Sequence, residues 1–326
     1  MRNVRLGIIG TGNAARELHL PALKNMTDQF TVIAVCNRSE EKAKSFAKLI
    51  GDVPYYTDYK KIISDNEIEA VDITLPSDIS AAVVKKAILS KKHVITEKPL
   101  AGYIDQAEKL VTLAANTEKV TMVAENFRYM EVYNKINTIL SENRIGVPIL
   151  FYYNFFRRFD ENTTQFAKPK WIKGHNYAGG ILNLGGIHHI AGIRTMIGNL
   201  IVVSSLTKCL NPNISDLDTA CIHCKTNDGL VGVINISYGS KHYESMDIII
   251  LGEKASIKAN YTNIVIMKEG NEIEKVLLPE KPYREWGFKE EFQDFYEAIT
   301  TGKKCKSSFK EAYEDLKVIN DLLKHP

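Results

Sequence analysis

The chain has 326 residues, too many for one ordinary hydrophobic core, so two domains are expected. Hydrophobic residues make up 44% and charged residues 25%, which is typical of a soluble globular protein, and the formal net charge of +3 is small. The sequence shows neither a basic run nor a long apolar run, which argues against nucleic-acid binding and a membrane span. With no visible secretory leader and five sparse cysteines, we expect a cytoplasmic protein.

A short apolar strand followed by a glycine-rich turn opens the chain. The strand lies within residues 2–10, and a helical pattern extends from Ala14 to about Leu23. Between them the motif G-x-G-x-x-A ends on Ala15, which lets the helix pack closely on the strand. This context favours a dinucleotide-binding turn over an unrelated glycine-rich turn. The residues predicted to face the pyrophosphate are Gly10, Thr11, Gly12, Asn13 and Ala14.

Strands and helices alternate through the first third of the sequence. Further strands are predicted at Phe30–Asn37, Val53–Tyr56, Ala70–Leu75, His93–Thr96 and Val120–Ala124. Helices are predicted from the N-cap Ser39 to near Gly51, over Asp78–Ser90 and over Ile104–Ala115. This alternation predicts an α/β fold with a doubly wound parallel sheet, a Rossmann domain over residues 1–124. Such sheets bind ligands at the carboxyl ends of their strands.

Long strands dominate the rest of the sequence, after one helix at Glu131–Ser141. Strands are predicted at Ile149–Arg158, Val202–Cys209, Thr219–Thr226, Val231–Tyr238, Glu244–Leu251, Ala255–Ala259, Ile264–Lys268 and Glu272–Leu277. Helices are predicted at Ile181–Ile197, Trp286–Thr300 and Phe309–Leu323. We therefore expect an α+β domain over residues 125–326 with a large, mostly antiparallel open sheet. The helices are too few to cover it, so the open face predicts a homodimer or homotetramer.

Two cysteines in a C-x-x-C spacing, Cys221 and Cys224, raise the possibility of a zinc site. They fall within one predicted strand, where alternation sends them to opposite faces. The sequence holds no second such pair, so ordinary strand cysteines are the favoured interpretation and no metal is expected.

The sequence Glu97-Lys98-Pro99 follows the fifth strand of the predicted sheet. A lysine at this place points into the crevice where a nicotinamide would lie, and it can donate a hydrogen bond to a substrate oxygen. A solvated surface pair of Glu97 and Lys98 is the alternative.

The glycine motif followed by Glu-Lys-Pro resembles the Gfo/Idh/MocA oxidoreductases. Two later segments are similar to that family as well, Ala124–Tyr129 and the glycine-rich Gly179–Ile190, and the resemblance covers essentially the whole chain. It implies an NAD(P)-dependent oxidoreductase in which Lys98 contacts the reacting oxygen and His188 serves as acid and base. The alternative for His188 and His189 is a pair of ordinary packed histidines.

Further site residues are implied by the same resemblance. Cofactor contacts fall on Leu75, Pro76, Glu97, Lys98 and Asn126. Substrate contacts fall on Lys98, Arg128, Asn183 and His188, and Trp171 is added because it lies in the predicted loop before the glycine-rich helix. Other candidates for the substrate pocket are Lys173, His175, Tyr177 and one of the neighbouring pair Arg157 and Arg158.

Three positions depart from the family pattern. Aspartates are common where this chain has Leu184 and Ala191, and a histidine is common at Ser80. A histidine without a nearby carboxylate has a less stabilised imidazolium, so these departures weaken the case for a typical polyol dehydrogenase.

The residues after the second strand bear on the choice of cofactor. An NAD site usually places a carboxylate there for the ribose hydroxyls, whereas this chain has Asn37, Arg38 and Ser39. A neutral amide beside an arginine suits a 2′-phosphate, so we expect NADP(H) over NAD(H).

These observations predict hydride transfer between nicotinamide and a hydroxyl or carbonyl carbon of a sugar-like or cyclitol-like molecule. Two other functions stay open: an NAD-dependent hydrolase or epimerase with tightly bound cofactor, and a non-catalytic dinucleotide sensor. Leu184 and Ala191 suggest the sensor.

Overall fold

The computed structural model describes residues 2–160, 162, 164–167 and 179–324. They divide into two compact units. The first contains the chain up to Asn126 together with Pro282–Tyr313, and the second contains Phe127–Lys281 together with the chain from Glu314. Among the described residues, no helix combines the length and the apolar character that a membrane crossing needs.

The first unit is built on a parallel sheet. Its strands are β1 (Val4–Ile9), β2 (Phe30–Cys36), β3 (Tyr55–Tyr56), β4 (Ala70–Ile73), β5 (His93–Glu97) and β6 (Thr121–Ala124). They lie in the order β3-β2-β1-β4-β5-β6, and the neighbouring strands pair in parallel. The chain reverses its winding between β1 and β4, which opens a crevice at the carboxyl ends of these two strands. The predicted doubly wound sheet is confirmed.

Helices connect these strands. They are α1 (Leu20–Lys24), α2 (Glu40–Lys48), α3 (Lys60–Ser64), α4 (Ser77–Leu89) and α5 (Ile104–Ala115). A π-helical turn, Ala15–His19, leads directly into α1. At the start of α2 the Ser39 hydroxyl accepts a hydrogen bond from the Lys42 backbone N–H, which confirms the predicted N-cap.

The second unit contains a mostly antiparallel sheet. Its strands are β7 (Pro148–Phe156), β8 (Leu200–Lys208), β9 (Thr219–Thr226), β10 (Val231–Ser237), β11 (Ser245–Gly252), β12 (Ser256–Ala259), β13 (Asn263–Lys268) and β14 (Asn271–Leu277). They lie in the order β14-β13-β12-β11-β7-β10-β9-β8, and β7 pairs with β10 in parallel. The helices of this unit include α6 (Glu131–Ser141) and α7 (Ile187–Ile197), the latter preceded by a π-helical turn, Leu182–Gly186. On β9, Cys221 is exposed and Cys224 is buried, so the predicted opposite faces are confirmed.

The last segment of the chain packs differently from the predicted division into residues 1–124 and 125–326. Two helices end the described chain, α8 (Phe288–Thr301) and α9 (Phe309–Leu322). Pro282–Tyr313, which contains α8, packs with the first unit. The ring of Phe30 on β2 lies 6.0 Å from Phe292 and 6.3 Å from Phe295, so aromatic packing holds α8 on the parallel sheet.

Candidate active site

The predicted cofactor residues of the first unit all follow strands of its parallel sheet. Residues 10–14 follow β1, residues 37–39 follow β2, residues 75–76 follow β4, Lys98 follows β5, and Asn126 follows β6. Glu97 is the last residue of β5. Because these strands are neighbours in the sheet, the structure brings the five groups to one edge. We call it the carboxyl edge.

The glycine turn has the geometry that a dinucleotide requires. Gly10 has a φ of +102°, and a Cβ built there would lie 2.5 Å from the Thr74 carbonyl oxygen, so no larger residue fits. At Gly12 a Cβ would meet nothing within 4 Å, which leaves open space beside the backbone for a pyrophosphate. The helix starting after Gly12 turns its first N–H groups towards this space. The residues present therefore fit a nicotinamide dinucleotide.

Asn37 is fixed by hydrogen bonds on both ends of its side-chain amide. Its Nδ2 donates to the Thr11 hydroxyl at 2.8 Å, and its Oδ1 accepts from the Ser39 backbone N–H at 3.0 Å. Arg38 is exposed beside it. The turn after β2 thus presents a neutral amide held by two hydrogen bonds, with an exposed cationic side chain next to it.

A buried histidine links two strands behind the carboxyl edge. Nδ1 of His19 is 2.9 Å from Oδ2 of Asp72, on β4, and Nε2 is 3.1 Å from Oε1 of Glu97. The side chains of His19 and Asp72 are 0% exposed. Burial alone would lower the pKa of His19, but Asp72 and Glu97 outweigh it and raise that pKa well above its ordinary value.

A further carboxyl group, Glu291 on α8, interacts electrostatically with the same histidine. It is 0% exposed, and among the described residues neither of its oxygens has a hydrogen-bond partner. Burial raises its pKa well above the usual range; His19 opposes this rise, and Glu97 adds to it. Burial therefore favours the neutral form of the Glu291 carboxyl group.

Two predicted site residues have structural partners instead. The side-chain amide of Asn126, which is 1% exposed, donates to the Trp286 backbone carbonyl at 2.6 Å. Arg128, in the second unit and 4% exposed, donates from Nη2 to Asp315 at 2.5 Å. Both placements favour a role in holding the fold over the predicted contacts with cofactor and substrate.

The two adjacent histidines of α7 have different surroundings. His188 is half-buried, and its ring stacks on Phe127 with centroids 4.8 Å apart. His189 is 1% exposed, and tyrosine hydroxyls approach both of its ring nitrogens, Tyr153 at 2.7 Å and Tyr238 at 3.1 Å. Burial lowers the pKa of His189 well below its ordinary value, so this ring is neutral. Packing thus accounts for His189 and leaves His188 as the candidate for proton transfer.

The other predicted residues of the glycine-rich segment are buried. Asn183 and Leu184 lie on the π-helical turn at 4% and 6% exposure, and Ala191 on α7 is 0% exposed. Apolar side chains therefore stand inside the fold where the family pattern has carboxylates. Trp171, Lys173, His175 and Tyr177 lie outside the described residues.

Sequence reasoning missed His19, Asp72 and Glu291. One signal was present in the sequence, because Asp72 interrupts the otherwise apolar strand Ala70–Ile73, and a charge in a fully buried strand needs a partner. Nothing local identifies that partner, since His19 is 53 positions away along the chain.

The comparisons with known proteins agree with this fold and site. A model of an oxidoreductase family with an NAD-binding Rossmann fold matches residues 4–125, and a model of the same family's C-terminal alpha/beta domain matches residues 138–324. Together with these matches, the glycine turn on the doubly wound sheet identifies the class of protein as an NAD(P)-dependent oxidoreductase. More particularly, the chain belongs to the Gfo/Idh/MocA family, which confirms the resemblance seen in the sequence.

Relatives match along nearly the whole chain. An oxidoreductase from Thermotoga maritima is 32% identical, with a TM-score of 0.92 over 99% of this chain and 97% of its own. The uncharacterized protein YMR315W of Saccharomyces cerevisiae is 29% identical over 99% of this chain and 96% of its own length. Dehydrogenase FPY6 of Fusarium mangiferae is 28% identical over 98% and 95%.

Proposed function

We propose that this oxidoreductase transfers a hydride between NADP(H) and a carbon bearing a hydroxyl or carbonyl group on a sugar-like or cyclitol-like molecule. The observation that carries the proposal is the position of Lys98, which follows β5 at the same carboxyl edge as the glycine turn. A D-apiose dehydrogenase of Rhizobium rhizogenes, 27% identical over 64% of this chain and 59% of its own length, supports a sugar-like substrate.

The proposed roles follow from the chemistry of the side chains. The glycine turn and the amide of Asn37 hold the dinucleotide, which when bound accepts or supplies the hydride. The Lys98 ammonium donates a hydrogen bond to the reacting oxygen and stabilises negative charge that develops there. His188 exchanges the hydroxyl proton, since imidazole gains and loses protons near neutral pH.

The direct test mixes the protein with NADPH, or with NADP⁺ for the reverse direction, and a panel of sugars, cyclitols and their keto forms. Turnover is followed by the absorbance of the reduced nicotinamide. Turnover of at least one compound is expected. Tightly bound cofactor that never exchanges would instead favour a hydrolase or epimerase, and binding without any turnover would favour a sensor.

Cofactor preference gives a sharper prediction. We expect Asn37→Asp to weaken NADPH binding at least about tenfold and to reverse the preference towards NADH. A carboxylate about 4 Å from the 2′-phosphate is repelled by roughly 4 kcal/mol at an effective dielectric near 20, before screening by salt. The change should leave the fold intact, because a carboxylate can still accept from the Ser39 N–H and the Thr11 hydroxyl. Competitive titration with both cofactors measures the effect.

Asn116→Asp is the matched control for this prediction. Asn116 is exposed and caps the end of α5, just before the amino end of β6. The substitution therefore adds the same negative charge at a place away from the carboxyl edge. Equal affinities for both cofactors in the unaltered protein, or an unchanged preference in Asn37→Asp, would show that this turn does not select the cofactor.

We also propose that the outer face of the eight-stranded sheet pairs with a second copy of this chain, as a homodimer or within a homotetramer. Three neighbouring strands present apolar side chains on that face, because Tyr152 on β7 lies beside Val233 on β10 and Ile249 on β11. Tyr152 is 37% exposed, and Leu251, in the next row on β11, is 36% exposed. A contiguous apolar surface on a sheet is typical of a subunit interface.

Light scattering at micromolar concentration is expected to give the mass of a dimer or tetramer. Tyr152→Lys should shift the protein towards monomer, because it buries an unpaired charge in the contact. Leu89→Lys, which changes an exposed leucine on α4 in the same way, should leave the mass unchanged. A monomer in the unaltered protein would refute the proposed interface.

A further inference from the structure

The contacts of His19 determine its charge. Both ring nitrogens face carboxylates, Asp72 at 2.9 Å and Glu97 at 3.1 Å. An ionised carboxylate accepts hydrogen bonds and cannot donate them, so both ring nitrogens carry protons and the ring is an imidazolium. Because His19 and Asp72 are 0% exposed, little water screens this contact, and it is stronger than a surface pair.

Glu97 connects this buried cation to the segment that carries the chemistry. One carboxylate oxygen of Glu97 meets the His19 ring, and the other accepts a hydrogen bond from the Lys98 backbone N–H at 3.1 Å. The side chain is 13% exposed. One oxygen of Glu97 is therefore held by His19, and the other holds the backbone N–H of Lys98, the residue proposed to contact the reacting oxygen.

We propose that His19 is a positioning residue that fixes the Glu97 carboxylate and, through it, the backbone of Lys98. The proposal rests on the proposed function of Lys98. The π-helical turn that follows the glycine motif would then have a second role besides phosphate binding, because it carries His19, which anchors the Glu-Lys-Pro segment. A displacement of about 1 Å at a reacting group can lower a rate about a hundredfold, so such an anchor affects turnover.

Other carboxyl groups interact electrostatically with the pair of His19 and Glu97. Three carboxyl groups interact with the ring, from Asp72 on β4, Glu97 on β5 and Glu291 on α8, and Glu125 after β6 acts on Glu291. Burial raises the pKa of Glu291 and so favours its neutral form, which weakens its competition with Glu97 for the positive charge. The His19 ring also packs perpendicular to the Phe292 ring, with centroids 5.3 Å apart. This aromatic contact keeps water away from the pair of His19 and Glu97.

The first test needs no substrate. Nitrogen-15 NMR of the imidazole groups at pH 7.5 should show both nitrogens of His19 protonated, with the signal assigned in the unaltered protein from nuclear Overhauser contacts between the His19 and Phe292 rings. Hydrogen exchange at the Lys98 amide should be at least about tenfold faster in His19→Gln than in the unaltered protein. His242→Gln, at an exposed histidine, is the matched control and should change neither measurement. A neutral His19 ring in the unaltered protein would overturn the proposal, even if His19→Gln does not fold.

The second test distinguishes a loss of positioning from a general loss of structure. With a compound that the unaltered protein turns over, His19→Gln should lower kcat about 10- to 100-fold and change KM and the NADPH dissociation constant less than about threefold. A kcat within threefold of the unaltered protein, or equal losses in kcat and NADPH affinity, would overturn the role of His19. Absence of turnover in the unaltered protein would count against the proposed function alone, since the NMR and exchange results still decide the position of His19.

Discussion

Replacing Lys98 with methionine is expected to lower kcat/KM about a hundredfold or more. Methionine has a similar length and keeps the apolar part of the side chain, but it removes the ammonium group that donates to the reacting oxygen. Loss of one positioned proton donor typically costs a factor of 10² or more in rate. Affinity for NADPH should change little, because the Glu97 contact to residue 98 is made by the backbone N–H and survives the substitution.

The control for this prediction is Lys85→Met, at an exposed lysine on α4 of the same unit. It makes the same chemical change and should leave kcat/KM within about twofold. Steady-state kinetics and fluorescence titration of NADPH separate the two effects. Turnover near that of the unaltered protein in Lys98→Met would show that the lysine takes no part in the reaction.

Elements with strong periodicity were predictable from the sequence. The helices α5 and α6 have the predicted bounds, Ile104–Ala115 and Glu131–Ser141, because apolar residues recur on one face over three turns. The helix α3, Lys60–Ser64, was not predicted, since a helix of one turn buries only Ile62 and Ile63 and leaves no periodic pattern. The return of α8 to the first unit was also missed, because an amphipathic pattern shows that a helix is buried but does not name the sheet that buries it.

The candidate site likewise contains parts that the local sequence predicts and parts that it does not. The glycine turn and the Glu-Lys-Pro segment are local, so their geometry follows from residues adjacent in the chain. The contacts of Arg128 with Asp315 and of His19 with Glu97 join residues 187 and 78 positions apart, and no local pattern specifies such pairs. Sequence reasoning therefore placed Arg128 on the substrate, whereas the structure gives it a buried carboxylate as partner.

That buried carboxylate leads to a prediction on stability. Asp315, on α9, is 1% exposed and accepts hydrogen bonds from two buried arginines, Arg128 and Arg194, each at 2.5 Å. Asp315→Ala would leave two guanidinium groups buried without their shared anion. Breaking a buried ion pair by removing one partner costs about 3–5 kcal/mol, so the free energy of unfolding should fall by about that amount. Urea denaturation followed by circular dichroism measures the loss.

Asp321→Ala on the same helix makes the same chemical change in a solvated ion pair. Asp321 has a side chain that is 41% exposed and lies 3.5 Å from the Lys324 ammonium, so its loss should cost at most about 1 kcal/mol. The difference between the two variants reports chiefly on burial, because both replace aspartate by alanine on the same helix and helix propensity differs by less than about 1 kcal/mol. If the two variants unfold at the same urea concentration, the arginines find other partners or water, and the buried triad contributes no more than a surface pair. Arg194 has one such partner already, since it also donates to the side-chain oxygen of Asn199.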